Sequence, residues 1–188
     1  MTPARAALVE RLEEELRALT LALYDTSVSP EQIDAALRPY LDPQIEFVDP
    51  WQSDVGAGRY RLGLAGFHTM FRFRLELTQL TVTLEEDGVR GRCIADGVMY
   101  LEQLAPLLTF PLRTILTYEL TVDDAGDGAT PPRFRIRRHE EMWSVGDMLA
   151  ALPLLGPAYA KLFRPAFARG FLAASWLSAR LRGVLPEP

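Results

Sequence analysis

The stretch RFRIRRHEEMW at residues 133–143 decides how the rest of the sequence is interpreted. It combines four arginines, a histidine and two glutamates with the apolar residues Phe134, Ile136, Met142 and Trp143. A solvated strand does not need so many apolar residues, and an ordinary core strand does not carry seven ionisable groups. Because side chains of a strand point alternately to opposite faces, the pattern predicts one face on a core and one face on a polar pocket or surface.

Three stretches before this one also have the composition of long strands. Residues 75–86 and 89–101 flank a sequence at 86–88 that is typical of a hairpin turn. Residues 108–122 are rich in Thr, Ile, Leu, Tyr and Val, and a polar turn joins them to residues 133–143. The second half of the sequence therefore predicts a run of long antiparallel strands.

The N-terminal part predicts three helices and one short strand. Leucines recur at helical spacing over residues 8–23, and Ser29 begins a second helix with a cap followed by proline. The second helix is expected to end at Asp42-Pro43. A short strand follows at 45–49, and a glycine-containing loop leads to a third helix with apolar residues over 60–71.

These elements predict an α+β fold, in which three N-terminal helices cover one face of a strongly curved, mainly antiparallel sheet. Such a cone encloses a pocket between the sheet and the helices. We expect this domain at residues 1–145 and a helical C-terminal extension at 146–188. Prolines, among them Pro165, and Gly170 are expected to cut the extension into short helices.

Composition excludes several classes of protein. Residues 1–147 hold 15 Lys and Arg and 24 Asp and Glu, and this charge of −9 argues against nucleic-acid binding by the domain. The single cysteine, Cys93, excludes an intramolecular disulfide and a cysteine zinc site. The N-terminus lacks the apolar block of a signal peptide, so the sequence predicts a cytoplasmic protein.

The order of elements resembles the nuclear transport factor 2-like superfamily, in its SnoaL-like, polyketide-cyclase-like branch. The resemblance covers residues 5–145 and is carried by three motifs. They are Phe47-Val48-Asp49-Pro50 after two helices, the glycine-containing loop before the third helix, and residues 135–143 in the last strand. The superfamily hosts isomerases, cyclases, lyases, hydrolases and non-catalytic binding or scaffold proteins, so the resemblance implies a pocket fold without naming a reaction.

The ketosteroid-isomerase branch implies a role for one residue. Its general base lies in a similar Asp-Pro motif, which corresponds to Asp49. Its helix-one tyrosine corresponds to Leu19-Thr20, one turn before Tyr24, and its late-strand acid falls near Leu116, so two of its three groups are missing.

The superfamily also implies an assembly. Its sheets commonly pair through their outer face, which implies a homodimer with Arg135, Arg137 and Glu140 at a two-fold interface.

Four residues are candidates for acid/base chemistry. Asp49 would be the base if a pocket raised its pKa toward neutrality, and otherwise it satisfies backbone N–H groups in a turn. His139 and Glu141 share a face of their strand, either as an acid/base pair or as ordinary surface partners. Tyr118 is expected to point inward, where it donates to a ligand or fills the core.

Four further residues are candidates for ligand binding. Trp51 and Trp143 are expected as pocket walls or core, His68 lies beside the apolar face of the third helix, and Asp96 is an acid in an apolar strand. The sequence has no local metal-ligand spacing, phosphate-binding glycine loop or nucleophile motif, so we expect no metal and no cofactor.

Two functions follow from these features. One is a cofactor-independent acid/base enzyme of isomerase, cyclase or lyase type acting on a small hydrophobic molecule, with Asp49 as base. The other is a non-catalytic module that binds a hydrophobic ligand, a lipid surface or a protein partner. Residues 157–186 combine cations with Phe and Trp at roughly helical spacing, so this segment either packs on the domain or contacts a membrane.

Overall fold

The structure is a computed structural model that describes residues 2–50, 52–104, 108–124 and 133–181. These residues fall into two compact units, one ending at Ser144 and the other beginning at Val145.

The first unit contains three helices and six strands. The helices are α1 (Pro3–Leu23), α2 (Pro30–Leu37) and α3 (Ala57–Met70). The strands are β1 (Leu41–Val48), β2 (Ser53–Val55), β3 (Phe73–Leu84), β4 (Arg90–Leu104), β5 (Leu108–Asp124) and β6 (Arg133–Trp143). All six strands form one sheet in the order β2-β1-β6-β5-β4-β3, with β1 and β6 parallel and the other neighbours antiparallel. The helices pack on this curved, open sheet, so the predicted α+β fold is confirmed.

Helix α1 provides much of the core beneath the sheet. Its leucines at 8, 12, 16 and 23 are buried, as their helical spacing predicts. Helix α2 begins with a reciprocal cap, in which the backbone N–H of Gln32 donates to the hydroxyl of Ser29 and the backbone N–H of Ser29 donates to the Gln32 side chain. The start of α2 therefore lies where the sequence predicts it.

The end of α2 differs from the prediction. The helix ends at Leu37 and passes into a 3₁₀ turn over Arg38–Tyr40, whereas Asp42 and Pro43 lie inside β1. Pro39 has no N–H to continue the α-helical hydrogen bonds, which explains the earlier end.

A bulge in β6 determines which residues point toward the helices. Ile136 and Arg138 pair with consecutive residues of β5, so Arg137 is an extra residue in the strand. Ile136 is buried before the bulge, and His139 and Glu141 are buried after it. Regular alternation from Ile136 would place both residues on the opposite face, so the bulge brings this imidazole and this carboxyl to the interior.

The second unit is helical, as predicted. It contains α4 (Val145–Ala151), α5 (Leu155–Ala158), a π-helical turn (Tyr159–Phe163) and α6 (Arg164–Leu181). The expected breaks at Pro165 and Gly170 are wrong, because both residues lie within α6. None of the described helices has the combination of length and hydropathy required to span a bilayer.

Candidate active site

A cavity of about 320 Å³ opens in the first unit, where the end of α1 and helix α3 face strands β1 and β6. Most of its lining is apolar and comes from Leu23, Phe47, Leu62, Leu64, Phe67 and Trp143. The ionisable lining includes Tyr24, Asp49, Asp54, Arg59, Tyr60, His139 and Glu141. A mostly apolar cavity with a few convergent polar groups is typical of a small-molecule site.

Glu141 is a buried carboxyl in the wall of this cavity. The hydroxyl of Tyr24 donates to its Oε1 atom, and the indole N–H of Trp143 donates to its Oε2 atom over 2.8 Å. Burial raises the pKa of Glu141 to about 7 against the lowering effect of these hydrogen bonds, and the charge of Asp49 raises it further. Glu141 therefore changes protonation state near neutral pH.

His139 is 1% exposed and lies beside Glu141 on the same face of β6. Its Nδ1 atom is 3.0 Å from the hydroxyl of Tyr60, and its Nε2 atom is 3.8 Å from Oε1 of Glu141. Nε2 has no hydrogen-bond partner among the described residues. Burial lowers the pKa of His139 to about 3, so the ring is neutral at physiological pH.

The surroundings of His139 favour one tautomer. Burial raises the pKa of Tyr60, so its hydroxyl keeps its proton and can donate it to Nδ1. The ring proton then resides on Nε2, where it faces the carboxyl of Glu141. We assign this tautomer because the ionised form of Glu141 attracts an N–H group.

Aromatic rings hold the imidazole in place. Tyr118 stacks on His139 at a centroid distance of 4.6 Å, and Phe47 meets it edge-on at 5.3 Å. The hydroxyl of Thr20 donates to that of Tyr118 over 3.2 Å. Tyr118 is buried as the sequence predicts, but it supports the ring of His139 and does not line the cavity.

Asp49 lines the cavity and also stabilises a turn. Its two carboxylate oxygens accept hydrogen bonds from the backbone N–H of Gln52 at 2.8 Å and from the side-chain amide of Gln52 at 3.2 Å. The residue lies at the end of β1 and is partly exposed. Its contacts include those expected of a turn aspartate, and its position at the cavity leaves its charge available to act on Glu141.

The predicted ligand-binding residues separate. Trp143 lines the cavity, whereas Trp51 lies outside the described residues. His68 is outside the cavity, with its Nε2 atom 2.7 Å from the carbonyl oxygen of Leu23 near the end of α1. Asp96 is also outside it and accepts a hydrogen bond from Arg113 over 3.0 Å.

Five polar residues of the cavity were not among the sequence candidates: Tyr24, Gln52, Asp54, Arg59 and Tyr60. Tyr60 belongs to the apolar face of α3, so its spacing matches that of a core residue. The sequence feature that could have identified Tyr60 as a site residue is its hydroxyl, which lies on an otherwise apolar helix face.

The fold is shared with several solved structures of low sequence identity. A candidate scytalone dehydratase from Novosphingobium aromaticivorans is 14% identical, with 77% of this chain and 89% of that chain covered and a TM-score of 0.58. A candidate dehydratase of the NTF2-like family from Streptomyces avermitilis is 13% identical, with coverage of 73% and 96% and a TM-score of 0.55. A candidate SnoaL-like polyketide cyclase from Jannaschia sp. CCS1 is 14% identical, with coverage of 83% and 96% and a TM-score of 0.50.

Sequence comparison alone finds neither a matching protein-family model nor a matching curated protein. At these identities the structural likeness concerns the fold. The resemblance predicted from the sequence is confirmed at that level, and the chain has the nuclear transport factor 2-like fold in the form shared with SnoaL-like proteins.

Proposed function

We propose that the protein is a cofactor-independent acid/base enzyme that removes a proton from a carbon next to a carbonyl group in a small, mostly apolar molecule. The observation that carries this proposal is the pairing of the buried Glu141 carboxyl with the Nε2 atom of His139 at the cavity wall, an atom that accepts or donates no hydrogen bond among the described residues. Two of the similar structures are candidate dehydratases and one is a candidate cyclase, which agrees with this class of chemistry.

Glu141 is the base in this proposal. Its carboxylate takes the proton from carbon, and the electron pair of the broken C–H bond forms a C=C bond while the carbonyl π electrons move to oxygen. The Nε2–H group of His139 donates a hydrogen bond to that developing oxyanion, as a neutral imidazole can. Nε2 of His139 and Oε1 of Glu141 are 3.8 Å apart, close enough to act on neighbouring atoms of one substrate.

The proton on Glu141 then has two destinations. Where a second C=C bond extends the enolate to a dienolate, return of the proton to the γ carbon restores the carbonyl and gives an isomer with a shifted C=C bond. Transfer of the proton to a hydroxyl on the β carbon lets that group leave as water, while the enolate electrons restore the carbonyl and form a new C=C bond. Either route returns Glu141 to the carboxylate. Because isomerisation and loss of water leave the overall oxidation level unchanged, no external oxidant or reductant is required.

The base is assigned to Glu141 and not to Asp49 because the two carboxyls differ in burial. Asp49 is partly exposed and its hydrogen bonds with Gln52 hold a turn. Glu141 is buried and has a pKa of about 7. A base whose pKa lies near neutrality is both ionised at physiological pH and strong enough to take a proton.

The proposal is tested by proton exchange. Small cyclic ketones and β-hydroxy ketones are incubated with the protein in deuterated water, and NMR follows loss of α-proton signal and formation of the unsaturated product. We expect catalysed exchange with the wild type and its loss in Glu141→Gln. The matched control is Glu119→Gln, which changes a half-exposed carboxylate paired with Arg92 away from the cavity.

Two outcomes contradict the proposal. Full exchange activity in Glu141→Gln excludes this residue as the base. Saturable binding of the ketones by the wild type without exchange indicates the non-catalytic binding module.

A further inference from the structure

The second unit displays a line of aromatic rings that we call the aromatic ridge, formed by Tyr159, Phe163, Phe167 and Phe171. The centroids of successive rings are 5.8, 6.0 and 6.4 Å apart, with angles of 18°, 22° and 11° between their planes. The four-residue spacing places one ring on each successive helical turn. The ridge therefore follows the π-helical turn and the first half of α6 along one side.

The ridge is unusually exposed for large apolar side chains. Phe163, Phe167 and Phe171 are 58%, 64% and 63% exposed. Further leucines in the same unit are also more than half exposed, namely Leu154, Leu155, Leu162 and Leu172. An apolar groove formed by Leu149, Leu155, Ala158, Tyr159, Leu162, Phe163 and Ala166 adjoins the ridge. A continuous apolar surface of this kind marks an interaction site, because its burial is favourable.

Positive charge accompanies the ridge. Lys161, Arg164 and Arg169 are exposed on the same helical stretch, and the sequence contains no acidic residue between positions 148 and 181. None of these cations lies on the four-residue line of the ridge, so the aromatic and the cationic side chains occupy different sides of the helix. The unit thus combines an aromatic face with a cationic flank. A partner that binds this surface must bury apolar rings and also complement positive charge.

We propose that the aromatic ridge and its cationic flank bind the surface of an anionic lipid bilayer, with α6 lying in the plane of the interface. The rings enter the boundary between headgroups and acyl chains, and the cations contact lipid phosphates. A second copy of the chain complements the apolar rings but repels the flank through like charge. The bilayer satisfies both features, and this role is independent of the acid/base chemistry in the first unit.

The test is cosedimentation of the full-length protein with vesicles at low salt. One set contains phosphatidylcholine alone, and the other contains phosphatidylcholine and phosphatidylglycerol in equal parts. We expect binding to the anionic set and weak binding to the neutral set. The triple variant Phe163→Ser, Phe167→Ser, Phe171→Ser is expected to reduce partitioning by about tenfold or more. The triple variant Lys161→Gln, Arg164→Gln, Arg169→Gln is expected to reduce both binding and its sensitivity to salt.

Matched controls come from the first unit. Ile94→Ser replaces a large apolar residue that is 48% exposed, and Arg92→Gln removes an exposed cation. Both controls are expected to bind vesicles like the wild type, and circular dichroism verifies that all variants keep their helices. Equal binding to both vesicle sets, absence of binding to the anionic set, or unchanged binding by the Phe variant overturns the proposal. A dimer in light scattering that the Phe variant converts to a monomer, without vesicle binding, assigns the ridge to a second copy.

Discussion

The Nε2 atom of His139 lies 3.8 Å from the Oε1 atom of Glu141, and both side chains are buried in the same cavity wall. Burial shifts the pKa values of the two groups in opposite directions, because it disfavours the charged form of each. It lowers the pKa of His139 to about 3 and raises that of Glu141 to about 7. Above neutrality the pair is a carboxylate beside a neutral imidazole, the state that proton abstraction requires.

The raised pKa of Glu141 predicts how stability depends on pH. The folded protein binds the carboxyl proton of Glu141 more tightly than the unfolded chain does, so protonation of Glu141 stabilises the fold. This stabilising effect is complete below pH 4.5 and is lost as pH rises to about 7. The shift corresponds to roughly 3 kcal/mol in the free energy of unfolding. Urea unfolding of the wild type and of Glu141→Gln across this range measures the effect as the difference between the two proteins.

His139 supplies the internal control for that measurement. Its folded pKa is lowered, so its stabilising effect is present above pH 6.5 and is lost as pH falls toward 3. The Glu141→Gln variant retains this dependence, and its stability is expected to rise with pH between those values. A constant difference between wild type and variant from pH 4.5 to 7 contradicts the raised pKa of Glu141.

Tyr60 is predicted to be a positioning residue. Tyr60→Phe removes the hydroxyl 3.0 Å from Nδ1 of His139 and leaves both ring nitrogens without partners among the described residues. We expect a loss of about 1–3 kcal/mol in unfolding free energy. We also expect kcat to fall more than KM changes, because the ring no longer presents one tautomer. Nitrogen-15 NMR of the His139 ring reports the tautomer directly.

The matched variant is Tyr100→Phe, which removes a hydroxyl that donates to Glu76 over 3.2 Å at the surface. It is expected to change neither the His139 nitrogen shifts nor the turnover. Identical nitrogen shifts in the wild type and Tyr60→Phe show that another group sets the tautomer.

The sequence predicts the fold well because its signals are local. The leucine period of α1 and the cap at Ser29 depend only on nearby residues, and the buried leucines and the cap appear where they were expected. The Asp-Pro motif at Asp49, and the two-residue spacing that puts His139 and Glu141 on one face of a strand, likewise identified three residues that line the cavity.

What sequence reasoning missed depends on contacts between distant parts of the chain. The bulge at Arg137 is defined by pairing with β5, and no local signal shows that it turns His139 and Glu141 inward. Tyr60 is separated from His139 by 79 positions, so their hydrogen bond emerges only when α3 packs beside β6. The helix spacing of Tyr60 predicts burial, but the role of its hydroxyl depends on what lies opposite.

Gly97 is predicted to be intolerant of any side chain. A Cβ atom at this position in β4 would lie 2.5 Å from the backbone carbonyl oxygen of Glu76 in β3, which cannot move away without disrupting the strand. We expect Gly97→Ala to lower the unfolding free energy by about 1–3 kcal/mol. Gly58→Ala in α3 is the control, since nothing lies within 4 Å of the added atom. Equal denaturation midpoints for the two variants contradict the close approach of β3 and β4.

Asp49→Asn distinguishes the two candidate bases. If Glu141 is the base, Asn at position 49 still accepts the backbone hydrogen bond of Gln52, so the turn persists and turnover continues. Removal of the Asp49 charge lowers the pKa of Glu141, because that charge contributes to its elevation. The acidic limb of the pH–rate profile is then expected to move to lower pH. A folded Asp49→Asn variant without turnover instead assigns the base to Asp49, as the Asp-Pro motif predicts, and leaves Glu141 as a group that orients His139.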